Sequence, residues 1–154
     1  MASKSDLPDL TGQWLCCRQE GMDKLIEASS SGVKGWVAKN AAWATGYGVG
    51  KTTMNVDQDG NKFVIVMNGL SGERTYEFEV GVTKEIEDPR VKGMVQIELS
   101  WTQVDGTTRL QLAYEHEGNS FTDIRYINGD GELVQIQRAH GVEATRWFKR
   151  NSKK

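Results

Sequence analysis

Near the C-terminus, Ala144-Thr145-Arg146-Trp147-Phe148-Lys149 alternates in a chemically informative way. Side chains on an extended strand point to opposite faces in turn. Ala144, Arg146 and Phe148 therefore share one face, and Thr145, Trp147 and Lys149 the other. If the first face points inward, Arg146 must find an anion or several acceptors, because a lone buried charge is expensive. Its planar fork suits a carboxylate. Two preceding segments bring more polar chemistry to the same wall: Asp123 with Arg125, and Gln135 with Gln137. Ile124, Tyr126, Val134 and Ile136 take the opposite face. This wall could hold the polar end of a ligand, with Arg125 and Arg146 as clamps. It could also satisfy itself, with an arginine paired to Asp123 or Glu115. Asp123 would neutralise one arginine and weaken the attraction for an anion. The outward apolar residues could mark a contact surface for a partner.

Other chemistries find less support. Thr45-Gly-Tyr-Gly-Val-Gly-Lys-Thr52 ends like a phosphate loop, but Thr stands where the first Gly is needed, and the segment follows a helical stretch. It reads as a Gly-rich lead-in to the second strand. His116 and His140 lie near turns with no third ligand, so no metal site is expected. No His stands at a suggestive spacing from Ser or Cys for a nucleophilic triad. Cys16 and Cys17 are the only cysteines. As neighbours they form no ordinary structural disulfide, and their alternation predicts one buried thiol and one more exposed.

The elements that position these residues are short strands with one helical interruption. Gln13 to Arg18 reads as a first strand. Met22, Leu25 and Ile26, then Val33, Trp36, Val37 and Ala41, recur at helical spacing. Ser29-Ser30-Ser31-Gly32 breaks that stretch, which predicts two short helices over about 22–43. From Tyr47 onward, turn signals such as Asp59-Gly60, Asn68-Gly69, Asp105-Gly106 and Asn128-Gly129 separate alternating segments. Tyr76, Phe78 and Val80 form one face of such a segment; Val95, Ile97, Leu99 and Trp101 form one face of another. Period two with hairpin turns means an antiparallel meander. About ten strands of this kind fit a barrel too wide for side chains to fill.

Composition agrees. The chain has 154 residues, one domain's worth, with 17 Gly and only 2 Pro, as expected for many tight turns. Lys plus Arg number 19 against 21 Asp plus Glu, which argues against phosphate-driven nucleic-acid binding. The N-terminal residues lack the apolar core of a secretory signal, and no run reaches the roughly 18 apolar residues of a membrane helix. With two adjacent cysteines and no disulfide framework, a cytoplasmic location is expected.

The order of these pieces resembles the intracellular lipid-binding protein family of fatty-acid and retinoid carriers, over about residues 10–150. Leu10-Thr-Gly-Gln-Trp14-Leu is similar to the family's opening strand, and Gly21-Met-Asp-Lys-Leu-Ile-Glu27 to its first helix. Phe78-Glu-Val-Gly81 with Glu85, Glu87, Asp88 and Arg90-Val-Lys92 resembles its middle hairpin. Gly131-Glu-Leu-Val134 through Gly141-Val-Glu-Ala-Thr-Arg-Trp-Phe-Lys-Arg150 resembles its last two strands. The resemblance implies an all-β fold: a ten-stranded, antiparallel up-and-down β-barrel, or β-clam, of the lipocalin-like superfamily, capped by a helix-turn-helix. It implies a water-filled cavity for an apolar ligand, commonly a carboxylate held by two Arg and a Tyr. Arg146 matches one family Arg, and Phe148 stands where the Tyr would be. Arg125 matches the other if the Asn128–Gly131 turn carries one extra residue; otherwise Tyr126 takes the slot.

The expectation is a single barrel domain over 1–154 acting as a non-catalytic, monomeric carrier without a cofactor. Its ligand would be a fatty acid, retinoid or other small hydrophobic molecule with a carboxylate or polar end. Arg125, Arg146, Phe148, Gln135, Gln137 and Asp123 would hold it, with Met22 and Ile26 in the lid and Arg90 at the opening. The helices could touch membranes transiently through Lys34, Lys39 and Lys51. The alternatives are an enzyme acting on a bound apolar compound, with Asp123, Arg125 or a Tyr as acid or base, and a ligand-free interaction module.

Overall fold

A computed structural model of the chain describes residues 7–29, 46–69, 72–87, 94–116, 119–139 and 141–151. It contains ten strands: β1 (Gly12–Glu20), β2 (Thr53–Asp59), β3 (Lys62–Gly69), β4 (Gly72–Glu79), β5 (Thr83–Glu87), β6 (Met94–Val104), β7 (Thr107–His116), β8 (Asn119–Ile127), β9 (Leu133–Ala139) and β10 (Val142–Arg150). One helix, α1 (Met22–Ser29), follows β1, and a single 3-10 turn, Gly46–Gly48, leads toward β2. The second expected helix, with Val33, Trp36 and Val37, lies outside the described residues. So does Arg90.

All ten strands belong to one antiparallel sheet in the order β4-β3-β2-β1-β10-β9-β8-β7-β6-β5. The chain meanders, and only the β1–β10 pairing joins strands distant in sequence. This is the expected ten-stranded up-and-down barrel, nearly closed, with β4 and β5 as the flanking edges. Turn chemistry sets the hairpins locally. Val104 pairs with Thr107 across Asp105-Gly106, whose φ angles are 51° and 78°. Two consecutive positive φ values match the right-handed twist of the flanking strands, and Asp-Gly supplies them at low cost.

Two features of β1 shape the inner wall and its helical end. The first is a register shift: Cys16 pairs with Phe148 and Arg18 with Trp147, so Cys17 is an extra residue. Such a bulge reverses the alternation beyond it. Trp14 and Cys16 point inward, while Arg18 sits beside the outward Trp147 and Gln19 joins the inward Arg146. The second is Gly21, at φ 81°, where the strand turns into α1. A Cβ there would lie 2.6 Å from the Glu143 carbonyl oxygen, so only glycine lets the chain pass this close to β10. α1 then packs against β10 and β9 at the same end of the barrel.

The inner faces build a graded core. At the end remote from α1, Trp14, Phe63, Leu99, Leu110, Leu133 and Phe148 are at most 1% exposed. At the α1 end, the inward Met67, Tyr76, Tyr114, Phe121, Gln137 and Val142 are only half-buried. Burial of the first group supplies the packing that holds the sheet curved, at about 25 cal/mol per Å² of apolar surface. Burial of the second is looser, so these inward side chains keep part of their surface exposed. No helix among the described residues is long and apolar enough to cross a membrane.

Candidate functional site

Register brings the polar residues of β8, β9 and β10 into two neighbouring inward rows. Arg125 pairs with Gln135, and Gln135 with Arg146; Asp123 pairs with Gln137, and Gln137 with Ala144. The alternation expected from sequence holds here. Arg125 points inward and Tyr126 outward, so the turn between Asn128 and Glu132 leaves Arg125 on the inner wall.

The side chains form one connected network. Arg125 donates from Nε to Asp123 Oδ1 at 2.9 Å and from Nη2 to Oδ2 at 3.4 Å. Its Nη1 donates to Met54 Sδ at 3.5 Å. Gln135 Nε2 donates to Asp123 Oδ2 at 2.8 Å, and Arg146 Nη2 donates to Gln135 Oε1 at 2.9 Å. The Arg125 and Asp123 side chains are 5% and 3% exposed. Burial works against the Arg125 charge, yet the Asp123 carboxylate outweighs it by Coulomb attraction and hydrogen bonding. Together they raise the guanidinium above its ordinary range. Tyr114 and Tyr76 contribute in the same direction, so both phenols lie near this cluster.

Arg125 is therefore an internally paired arginine, one of the two outcomes the sequence left open. Arg146 differs. It is half-buried, its guanidinium stands 5.6 Å from the centre of the Phe148 ring, and it borders Cys16. Phe148 is fully buried in the core and offers a ring face where a Tyr would offer a hydroxyl. Gln137 is half-buried. Met22 is half-buried as well, and its N–H donates to Gln19 Oε1 at 3.2 Å at the start of α1. Ile26 lies within α1, with its side chain outside the described residues.

Four participants were not evident from the sequence. Met54 meets Arg125 from the far side of the sheet, and the thioether gives no pattern that would announce it. Gln19 enters the arginine row only because of the β1 bulge. Tyr76 and Tyr114 carried a signal, their inward alternation, but not their proximity to Arg125.

The outer face of the same strands is also organised. Ile124, Val134 and Ile136 cluster there at 5%, 2% and 9% exposure, with Tyr126 and Trp147 packed against them. Arg109 lies 4.1 Å over the Tyr126 ring, and Arg18 lies 4.3 Å over that of Trp147. The expected outward apolar residues are thus covered rather than presented as an open surface. Each cation–π contact is worth roughly 0.5–1 kcal/mol at a site exposed like this. Cys16 is buried and Cys17 half-buried, as the alternation implied. Burial raises both thiols above their ordinary range, and for Cys17 the neighbouring Glu132 adds to this.

No protein-family model and no curated protein sequence matches the chain. Solved structures do. One described as the REP1-NXSQ fatty acid transporter aligns over 95% of this chain and 98% of its own, with a TM-score of 0.74 at 19% identity. Another, human cRBP IV, aligns over 94% of this chain and 100% of its own, with a TM-score of 0.74 at 19% identity. The chain thus has the ten-stranded barrel fold of these two structures, the fold that its resemblance to the intracellular lipid-binding protein family implied.

Proposed function

We propose that the protein is a non-catalytic carrier that holds a small hydrophobic molecule inside the barrel, with the molecule's polar end at the Asp123–Arg125–Gln135–Arg146 wall. The observation that carries this reading is a hydrogen-bonded polar cluster set beside a buried apolar core, with the inward residues toward α1 only half-buried. A site of this composition gains affinity from apolar burial and orientation from a few placed polar groups. The names of two structural neighbours, a fatty acid transporter and a cRBP, support a lipid-like cargo such as a fatty acid or retinoid. The carrier would work as a cytoplasmic monomer, taking up its cargo at the helical end and touching membranes transiently there.

Organic extraction of the purified protein followed by mass spectrometry tests the reading. An apolar compound is expected to co-purify, or to bind after delipidation, and to be recovered chemically unchanged after incubation. A delipidated protein that takes up no apolar compound would overturn the carrier reading. A compound that returns altered would favour an enzyme.

A further inference from the structure

The family resemblance leads one to expect a free carboxylate held by two arginines. The geometry of the wall points elsewhere. We infer that Asp123 is a specificity-determining residue, making the interior select an apolar molecule with a neutral oxygen-bearing end, such as a hydroxyl, amide or ester, over the corresponding carboxylic acid. The inference rests on the carrier reading and narrows it.

Asp123 already occupies the place at Arg125 that a ligand carboxylate would need. Both of its oxygens face the guanidinium, and all three Arg125 nitrogens are engaged, two by Asp123 and one by Met54. An incoming carboxylate would have to compete with Asp123 for the same guanidinium, and displacing Asp123 would leave a buried acid without its counter-charge. The Asp123 carboxylate also projects its negative charge over the rest of the wall. Gln135 is held between the two arginine rows, donating to Asp123 and accepting from Arg146. A second anion beside Gln135 would therefore meet Asp123 at close range, and like charges raise the free energy of the ionised guest.

Arg146 does not reverse this. It is only half-buried and already donates to the neutral Gln135 Oε1, so it demands an anionic guest less than a fully buried arginine would. A guanidinium can pair with a neutral oxygen as well as with an anion. A hydroxyl, ester or amide oxygen accepts such a bond without bringing a charge that must be desolvated. Tyr76 and Tyr114, near the same cluster, could add hydroxyl contacts of the same kind.

The test is displacement of Nile red, a neutral apolar probe, from the delipidated full chain by oleyl alcohol and by oleic acid. Wild-type protein is expected to release the probe at an alcohol concentration at least tenfold below that of the acid. In Asp123→Asn the acid-to-alcohol ratio should shift toward the acid by tenfold or more, because Arg125 loses its resident anion. A wild-type preference for the acid would overturn the inference, as would a ratio unmoved by Asp123→Asn. Should Asp123→Asn fail to fold, the double variant Asp123→Asn with Arg125→Gln replaces the ion pair by two neutral amides and is expected to lose part of the alcohol preference, because no resident anion then opposes the acid. An alcohol preference as large as that of wild type in that variant would count against the inference. If Nile red does not bind at all, the carrier reading itself fails. If it binds and the acid wins, the carrier reading survives and only the selectivity falls.

Discussion

At the residue scale, the interior turns on one ion pair. Asp123 and Arg125 stand two residues apart on β8, so the pleat places both on the inner face. Taking two charges out of water is costly, and their attraction plus further hydrogen bonds must offset it. Here Gln135 and Met54 supply those bonds. Removing one partner should then hurt more than removing both. Arg125→Met alone is expected to cost about 3–5 kcal/mol, while Arg125→Met with Asp123→Leu should recover most of that loss. Urea denaturation of the two single variants and the double variant measures the cycle. Additive losses would mean that the pair is not coupled as described. The sequence showed that these residues share a face. It did not show whether Arg125 reaches for a guest or for its neighbour, because both outcomes obey the same alternation. That choice depends on side-chain distances, and on Met54, 71 positions away along the chain.

At the scale of elements, the β8–β9 turn and the β1 bulge are fastened to each other. Asn128 Oδ1 accepts from the Asp130 and Glu132 N–H groups, shaping the turn. Asn128 Nδ2 donates to Glu132 Oε1 at 3.1 Å, and Arg18 Nη2 donates to the same oxygen at 3.0 Å. Cys17 Sγ lies 3.5 Å from Glu132 Oε2 and 3.3 Å from the Trp147 carbonyl oxygen. The Asn128 hydrogen bond first, and then the Arg18 charge, lower the Glu132 carboxyl below its ordinary range. A folded-state pKa below the unfolded value means stability present at neutral pH and lost as acid protonates the carboxylate. Glu132→Gln should therefore be less stable than wild type at pH 7. The difference should shrink as the pH falls through about 4.3, the ordinary glutamate value, and vanish only below the lowered value of the folded carboxyl. Thermal melts across this range decide the matter; a gap that persists at low pH would show that the carboxylate charge is not what fastens the turn. The turn itself was legible from Asn128-Gly129-Asp130-Gly131. The bulge was not, since Cys16-Cys17-Arg18 reads equally well as unbroken alternation, and only pairing with β10 reveals the extra residue.

At the scale of the whole molecule, the fold was the most legible part, because alternation and turn signals are local and recur along the chain. What no local pattern could place is the seam where the barrel is held without a strand pairing. The sheet order ends at β4 on one side and β5 on the other. Edge strands present unpaired backbone groups, and here one of them is covered by a side chain: Lys84 Nζ, from β5, donates to the Glu77 carbonyl oxygen on β4 at 2.9 Å. A bond of this kind is worth roughly 0.5–1.5 kcal/mol. The opposite wall is built differently, with β1, β10, β9 and β8 each paired on both sides and apolar clusters on both faces of β8, β9 and β10. Local opening should follow that contrast, since segments with few buried contacts and exposed hydrogen bonds open first. Native-state hydrogen exchange should find the seam-facing amides of β4 and β5 fastest, and the β8–β10 amides slowest. Lys84→Ala should speed exchange at the seam by about fivefold, as loss of ~1 kcal/mol implies, and leave β8–β10 unchanged. Uniform acceleration across all ten strands would mean that the barrel opens only as a unit, and that the Lys84 bridge does not set where it opens.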